Sequence, residues 1–103
     1  MCENVGYFVY KLIAPRPTLA QDITAAETEL LKIHAKYWSD LADRGIAVLF
    51  GPVLDPKGAW GLAVVETNDE AETNRLGVND PAIKADVGFR FEVYPMPQAI
   101  LRK

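Results

Sequence analysis

The order of strand-like and helix-like segments is the feature that most restricts how this chain can fold. Four segments are rich in the aromatic and β-branched residues that strands favour. They are Tyr7–Ile13, Ile46–Phe50, Ala59–Glu66 and Phe89–Tyr94. One helical pattern follows the first of them and another follows the third, so the order of elements is βαββαβ. This order predicts a ferredoxin-like α+β fold, in which both helices cover one face of a four-stranded antiparallel sheet.

The first helix has clear signals at both ends. Thr24 and Glu27 match the T-x-x-E capping box, in which each side chain bonds a free amide of the first turn. Gly45 can adopt the left-handed backbone that often ends a helix. Between these signals, mostly apolar residues recur at spacings of three and four: Leu30, Leu31, His34, Tyr37, Trp38 and Leu41. We therefore expect a helix from Ala25 to Arg44.

Proline-containing segments mark the ends of the predicted strands. Ala14–Pro17 holds two prolines, which fix φ and remove backbone donors, so a stiff loop should follow the first strand. Gly51-Pro52 is expected to end the second strand, and Asp55–Gly58 has the proline and glycine of a turn. Pro95-Met96-Pro97 is expected to leave the last strand.

Aspartate and asparagine mark the start of two further helical segments. Asn68-Asp69 can cap a short helix that ends near Leu76-Gly77. Asp80 before Pro81 has the pattern of an N-cap followed by proline at the first helical position. One more helical turn, as far as Ala85, is therefore expected there.

Size and charge restrict the chain to one domain and to few kinds of partner. A chain of 103 residues, half of them hydrophobic, can bury one core, so residues 1–103 should form a single domain. The net charge is −3 and the 11 Lys and Arg residues are scattered, which argues against binding to nucleic acid or a membrane surface. The first six residues do not resemble a signal peptide, and a lone cysteine, Cys2, fits a reducing compartment. A cytoplasmic location is therefore expected.

The predicted sheet has apolar residues on both faces. Tyr7–Leu12 and Leu62–Val65 are mostly apolar at both sets of alternating positions. The helices can cover only one face, and a large open apolar face is normally an interface. Two copies packed sheet to sheet would bury it, so we expect a homodimer of the dimeric α+β barrel type.

His34, the only histidine, is the strongest candidate for chemistry. It lies on the apolar face of the first helix. Histidine alone has an ordinary pKa near the pH at which a proton must be both taken and returned. A functional His34 would be a general acid or base. The alternative is a core histidine that only hydrogen-bonds a backbone carbonyl.

The order and spacing of these features resemble the YCII-related (YciI-like) family of small dimeric α+β barrel proteins. The matching features are the opening strand, His34 before Gly45, Gly51-Pro52, Asp80-Pro81 and the closing strand into Tyr94-Pro95. The segment Ala14–Thr24 is longer than the family pattern. The resemblance implies that His34 and Asp80 are active-site residues, and that the activity is of a lyase or dehydrochlorinase type on ring compounds.

Asp80 has two compatible roles in this interpretation. As a partner of His34 it would hold the imidazole in one tautomer and stabilise the imidazolium that forms during proton transfer. An aspartate before proline is also a good helix cap without any catalysis, worth about 1 kcal/mol. Because a carboxylate has two oxygens, both roles can coexist.

Four further residues are candidates for substrate binding. Arg16, between two prolines, could neutralise an anionic substrate, although such a residue is more often a solvated loop charge. Tyr37, Trp38 and Trp60 could line an aromatic-binding pocket, although aromatic residues at these spacings usually belong to a core or an interface.

Other chemistries lack the residues that they need. Ser39, the only serine, is five positions from His34 and therefore faces away from it on a helix. One histidine and scattered carboxylates do not make the ligand set of a zinc or iron centre. No glycine-rich phosphate loop or dinucleotide fingerprint occurs. We therefore expect neither a metal nor an organic cofactor.

One leading hypothesis and two alternatives follow. The leading hypothesis is a cofactor-independent enzyme in which His34 moves a proton on a small cyclic or aromatic molecule, by elimination or isomerisation, while Asp80 orients the imidazole. The first alternative is a cofactor-free oxygenase, in which an activated substrate carbanion reacts with oxygen. The second is a non-catalytic dimer that binds a small ligand, in which His34 would not lie beside Asp80.

Overall fold

A computed structural model describes residues 6–102 of the chain, and Cys2 lies outside these residues. Its elements are β1 Gly6–Ile13, α1 Leu19–Asp22, α2 Ala25–Asp43, β2 Ala47–Val53, β3 Trp60–Thr67, α3 Glu70–Val78, α4 Pro81–Lys84 and β4 Arg90–Met96. The predicted βαββαβ order is confirmed, with α2 and α3 as its two helices. The turn expected after Asp80 is α4, whereas no sequence signal predicts α1, which lies inside the loop after β1.

The four strands form one antiparallel sheet in the order β2-β3-β1-β4. The helices pack over one face of it, so the predicted ferredoxin-like arrangement is confirmed. Tyr10 of β1 lies opposite Ala63 of β3, and both belong to the core beneath the helices. Their sequence neighbours, such as Val9 and Val64, lie on the opposite face, which none of the described helices covers.

Two strands are longer than the sequence predicts, and both continue through a proline. β2 does not end at Gly51-Pro52 but extends to Val53, and β4 includes Pro95 and ends at Met96. Both are edge strands. Proline lacks a backbone donor, but half of the N–H groups of an edge strand face outward and need no partner in the sheet. The expectation that these prolines lie outside their strands is therefore wrong.

The helix α2 begins where the sequence predicts. Thr24 accepts a hydrogen bond from the Glu27 amide, and the Glu27 side chain bonds the Thr24 amide, so the capping box is present. The helix ends at Asp43, next to the predicted end, and Gly45 follows with a φ of 80°. This long helix carries His34 across the sheet.

The short helix α4 positions Asp80. It packs against α2, and Asp80 is its N-cap, with the side chain accepting a hydrogen bond from the Ala82 amide. Pro81 occupies the first turn, as predicted. Because α4 begins directly after α3, the chain turns the Asp80 carboxylate into the core between α2 and the sheet.

Candidate active site

A cavity of about 380 Å³ lies on the side of the sheet that the helices cover. It is lined by residues of β1, β2, β3, α1 and α2 and of the loops beside them, among them Leu12, Leu19, Leu31, Phe50 and Phe89. No Asp, Glu, Lys or Arg belongs to the described lining. Side chains with polar atoms are contributed there by Tyr10, His34, Trp38 and Trp60. The space is therefore almost entirely apolar.

Four donors converge on the carboxylate of Asp80, which is fully buried. Oδ2 accepts from the hydroxyl of Tyr10 at 2.9 Å and from Nε1 of Trp38 at 2.9 Å. Oδ1 accepts from the amide of Ala82 at 2.9 Å. Nδ1 of His34 lies 2.9 Å from Oδ1 and 3.0 Å from Oδ2. Residues from β1, α2 and α4 thus meet at one charge.

These donors keep Asp80 ionised although it is buried. Burial alone would raise the pKa of its carboxyl. The hydrogen bond and the charge of His34, together with hydrogen bonds from Trp38 and Ala82, outweigh burial and hold the pKa below its usual value. At neutral pH Asp80 is therefore an anion, and an ionised carboxylate can only accept hydrogen bonds.

This contact fixes which nitrogen of His34 carries the proton. Because Asp80 only accepts, Nδ1 must donate to it, and in the neutral imidazole Nε2 then carries the lone pair. The His34 side chain is 16% exposed and lines the cavity. Nε2 has no hydrogen-bonding partner within residues 6–102. In the neutral imidazole, Nε2 is therefore a proton acceptor without a partner in this part of the chain, on a side chain that lines an apolar cavity.

Sequence reasoning missed Tyr10. It lies on the helix-covered face of a central strand, with its ring centroid 4.7 Å from that of Trp38. Burial raises the pKa of its hydroxyl, and the charge of Asp80 raises it further, so the hydroxyl stays protonated and donates. The signal that could have found it is a tyrosine at a core position of a strand, because a buried hydroxyl needs a partner. Trp38, a predicted pocket residue, both lines the cavity and donates to Asp80.

Trp60 lines the cavity but does not reach Asp80. Its indole N–H donates to Oδ2 of Asp55 at 3.2 Å. Lys11 Nζ lies 4.9 Å from the ring centroid of Trp60, on the open face of the sheet. Trp60 is therefore among the lining residues, but its ring lies beside Lys11 on the open face and its only donor is already engaged.

Tyr37 lies outside the cavity lining. Its hydroxyl donates to the carbonyl of Leu76 at 2.6 Å, and its ring packs edge to face against Trp38. Burial, with the charge of Asp80, raises the pKa of Tyr37 to about 12. Tyr37 therefore joins α2 to α3 and is not among the residues that line the cavity.

The part of the chain that the structure describes contains neither a membrane-spanning helix nor a cluster of side chains that could hold a metal ion. Within residues 6–102, no helix is both long and apolar enough to cross a bilayer. In the same residues, no three or more His, Cys, Asp or Glu side chains are grouped as a metal site would need.

The YCII-related domain family has a model that matches residues 8–97. The chain belongs to the YCII-related family. The match begins within β1 and includes Tyr10, His34, Asp80 and β4. A search of curated proteins found no match.

Two solved structures share the fold of this YCII-related chain. An uncharacterized protein from Thermotoga maritima has a TM-score of 0.52 at 10% identity, over 89% of this chain and 98% of its own. A protein of unknown function from Nitrosomonas europaea has a TM-score of 0.53 at 14% identity, over 99% of each chain. At these identities the likeness shows the fold alone.

The segment Ala14–Thr24 supplies one side of the cavity in this YCII-related chain. It contains α1, and Leu19, Ala20 and Ile23 line the cavity from there. Gly58 lies close against it, since a Cβ on Gly58 would come within 3.0 Å of the Pro17 backbone. The segment therefore packs against the loop that contains Gly58 and forms one wall of the cavity.

Arg16 fastens this segment to α2 and does not line the cavity. Its Nε donates to Asp22 at 2.8 Å, and its two terminal nitrogens donate to the two oxygens of Glu27 at 2.8 Å each. The hydrogen bonds from Arg16, with those from Thr24, lower the pKa of the Glu27 carboxyl to about 2. Two carboxylates therefore occupy the donors of Arg16, and its guanidinium holds the segment against α2.

Proposed function

We propose that this chain is a cofactor-independent enzyme that moves a proton on a small cyclic or aromatic molecule bound in the cavity. The observation that carries the proposal is the position of His34, whose Nδ1 is held by a buried carboxylate while Nε2 is left for the cavity. An imidazole held in this way acts as a general base and then returns the proton as a general acid. The described lining offers no other uncommitted acid or base.

In the proposed reaction, Nε2 of His34 takes a proton from a substrate carbon. The electron pair of the broken C–H bond forms a new double bond in the substrate. In an elimination, a leaving group departs from the neighbouring carbon with the electron pair of its bond, and the imidazolium then gives its proton to the leaving group or to solvent. In an isomerisation, an existing double bond shifts, and the imidazolium returns the proton to the atom at its far end. Asp80 stabilises the imidazolium in both cases, and the apolar walls exclude competing water.

Family membership supports this class of reaction, because the family resemblance implies lyase chemistry on ring compounds. A cofactor-free oxygenase would use the same first step and differ in its co-reactant, so oxygen uptake during turnover separates the two. A non-catalytic binding dimer predicts that His34 lies apart from Asp80, whereas the two side chains are in contact. This contact favours the enzymatic hypotheses.

Hydrogen exchange at carbon tests the proposal without knowledge of the product. The protein is incubated in heavy water with neutral cyclic compounds that carry an activated C–H bond, and exchange and product formation are followed by NMR. We expect reaction of at least one compound, and a rate lower by about 100-fold or more in folded His34→Ala protein.

Lys36→Ala is the matched control for this experiment. Lys36 lies on the same helix as His34, where its exposed side chain pairs with Asp40, so its removal should leave the rate unchanged. Equal rates for wild type and His34→Ala would refute the proposal. A broad panel in which nothing reacts would also count against it.

We also propose that the active form is a homodimer. The face of the sheet opposite the helices carries apolar side chains from all four strands, among them Val9, Leu49, Leu62, Val64 and Tyr94. Leu49 and Tyr94 are 49% and 48% exposed. Two copies packed sheet to sheet would remove these side chains from water, which is worth about 25 cal/mol per Å² of apolar area.

A further inference from the structure

Most polar side-chain atoms of the cavity lining already have a hydrogen-bonding partner in the protein. Tyr10 and Trp38 give their hydrogens to Asp80, and Trp60 gives its hydrogen to Asp55. Among the described lining residues, Nε2 of His34 is then the one side-chain polar atom left without a partner. In the neutral imidazole, Nδ1 carries the proton that Asp80 accepts, so Nε2 is an acceptor. A bound molecule can satisfy it only by donating a hydrogen bond.

The charges around the cavity act against an anion. No cationic side chain belongs to the described lining, and the guanidinium of Arg16 is occupied by Asp22 and Glu27. The charge that lies closest to His34 is the carboxylate of Asp80, in contact with the imidazole. An anionic group placed against Nε2 would lose its hydration and meet a lone pair, with a negative charge behind it.

We infer that the cavity selects an uncharged apolar molecule with one O–H or N–H donor, which it gives to Nε2 of His34. The inference rests on the proposed function, because both use a neutral imidazole at His34, and it adds the polarity of the ligand. The O–H or N–H group binds Nε2 in the resting complex and must leave this atom before Nε2 takes a proton from carbon. A volume of about 380 Å³ accepts a molecule of one or two rings. The aromatic side chains of Trp38 and Phe50 provide flat surface for such rings.

Three probes of nearly equal size test this polarity. They are naphthol, methoxynaphthalene and naphthoate, substituted at the same ring position and titrated into the wild-type protein at neutral pH. We expect naphthol to bind about tenfold more tightly than the ether, which has no donor, because its hydroxyl bonds an imidazole polarised by Asp80. Naphthoate should bind more weakly than the ether. Equal affinities for the three probes, or tighter binding of naphthoate, would overturn the inference.

His34→Phe tests whether Nε2 is the atom that discriminates. This variant keeps an aromatic ring but has no acceptor, so naphthol and the ether should bind with equal affinity. The matched control is Tyr37→Phe, which removes a polar atom from the same helix outside the cavity lining and should preserve the tenfold preference. A preference for naphthol that survives in His34→Phe would assign the discrimination to another group and overturn the inference.

NMR of labelled imidazole nitrogens gives a second measurement in the wild-type protein, for the case in which His34→Phe does not fold. His34 is the only histidine, so both imidazole nitrogen signals come from this residue, and only Nδ1 and Nε2 must be told apart. Naphthol should move the Nε2 signal more than the Nδ1 signal, and the ether should move neither strongly. Unchanged Nε2 at saturating naphthol would overturn the inference.

These experiments test the binding inference and the proposed function independently of each other. If naphthol is preferred but no compound undergoes proton transfer, the proposed function is wrong and the binding inference stands. If proton transfer depends on His34 but the three probes bind alike, the enzyme proposal stands and the binding inference is wrong.

Discussion

The hydroxyl of Tyr10 donates a 2.9 Å hydrogen bond to Oδ2 of Asp80, although the two residues are 70 positions apart in the sequence. Tyr10 comes from the central strand of the sheet, and Asp80 caps the last short helix. The bond therefore ties the carboxylate that holds His34 to the most buried part of the fold. The stability of the core and the geometry of the site depend on the same contact.

Replacing Tyr10 by phenylalanine should lower the free energy of unfolding by about 1–3 kcal/mol, because a buried carboxylate loses one donor. Urea denaturation measures this change. Thr28→Ala is the control, since its hydroxyl bonds the Thr24 carbonyl at the exposed side of α2, and it should change stability by no more than about 0.5 kcal/mol. Equal losses in the two variants would mean that the bond to Asp80 contributes nothing specific.

Stability should fall as the pH rises above about 10, the ordinary pKa of tyrosine. Burial raises the pKa of Tyr10 and, to about 12, that of Tyr37. A raised pKa in the folded state means that the unfolded chain loses these protons first, so the stabilisation is complete below the ordinary value and is lost as the pH rises through the folded one. Denaturation at a series of alkaline pH values measures this loss.

Tyrosinate absorbance gives an independent check of the same groups. The folded chain, with four tyrosines, should show a late-ionising component, part of which disappears in Tyr37→Phe. Simultaneous ionisation of all four near the ordinary pKa, with the fold intact, would contradict the buried positions of Tyr10 and Tyr37.

His34 and Asp80 should behave as one unit in the proposed reaction. His34→Ala should lower turnover by about 10²- to 10⁴-fold, and Asp80→Asn by a similar or smaller factor. Residues that act together are non-additive, so the double variant should be scarcely worse than the more damaging single change. Additive losses would separate the two residues, and full activity in folded His34→Ala would exclude the mechanism.

Asp80→Asn should also lower stability, which the sequence alone does not indicate. An amide has one acceptor oxygen, whereas Asp80 uses Oδ1 for Ala82 and Oδ2 for both Tyr10 and Trp38. The amide oxygen of asparagine can keep the helix cap at Ala82. Its NH₂ group, which cannot accept a hydrogen bond, would then face the donors of Tyr10 and Trp38. Urea denaturation of the same protein samples used for turnover separates this loss of stability from the loss of activity.

The open face of the sheet should hold two copies together at micromolar concentration. Sedimentation should give twice the chain mass of 11.4 kDa, and Val64→Lys, at a central position of that face, should give the monomer. Ile33→Lys changes an exposed residue of α2 and should leave the dimer intact. A wild-type monomer with full secondary structure would exclude the sheet-to-sheet dimer.

Local signals made most of the fold predictable. The capping box of Thr24 and Glu27 and the cap at Asp80 each involve residues a few positions apart, so their patterns can be read directly from the sequence. Local signals do not show that β2 and β4 continue through Pro52 and Pro95, because tolerance of proline depends on whether a strand lies at an edge, and strand order is a property of the whole sheet.

The site was predictable only in part for the same reason. Helical spacing places Tyr37 and Trp38 on the buried side of α2 but does not distinguish a contact with α3 from a contact with the cavity. Tyr10 reaches Asp80 through a contact between distant parts of the chain. Arg16 differs, since its partners Asp22 and Glu27 lie within 11 positions, and opposite charges at that distance were visible in the sequence.

The wall formed by Ala14–Thr24 belongs to a different part of the chain from the pair that would transfer the proton. His34 and Asp80 are held by α2 and α4, whereas Leu19 and Ile23 reach the cavity from a loop anchored through Arg16. Substitutions in the loop can therefore change which molecule fits without moving Nε2 of His34. Such a chain can acquire new ligands over evolutionary time by remodelling about ten residues, while the contact between His34 and Asp80 is kept.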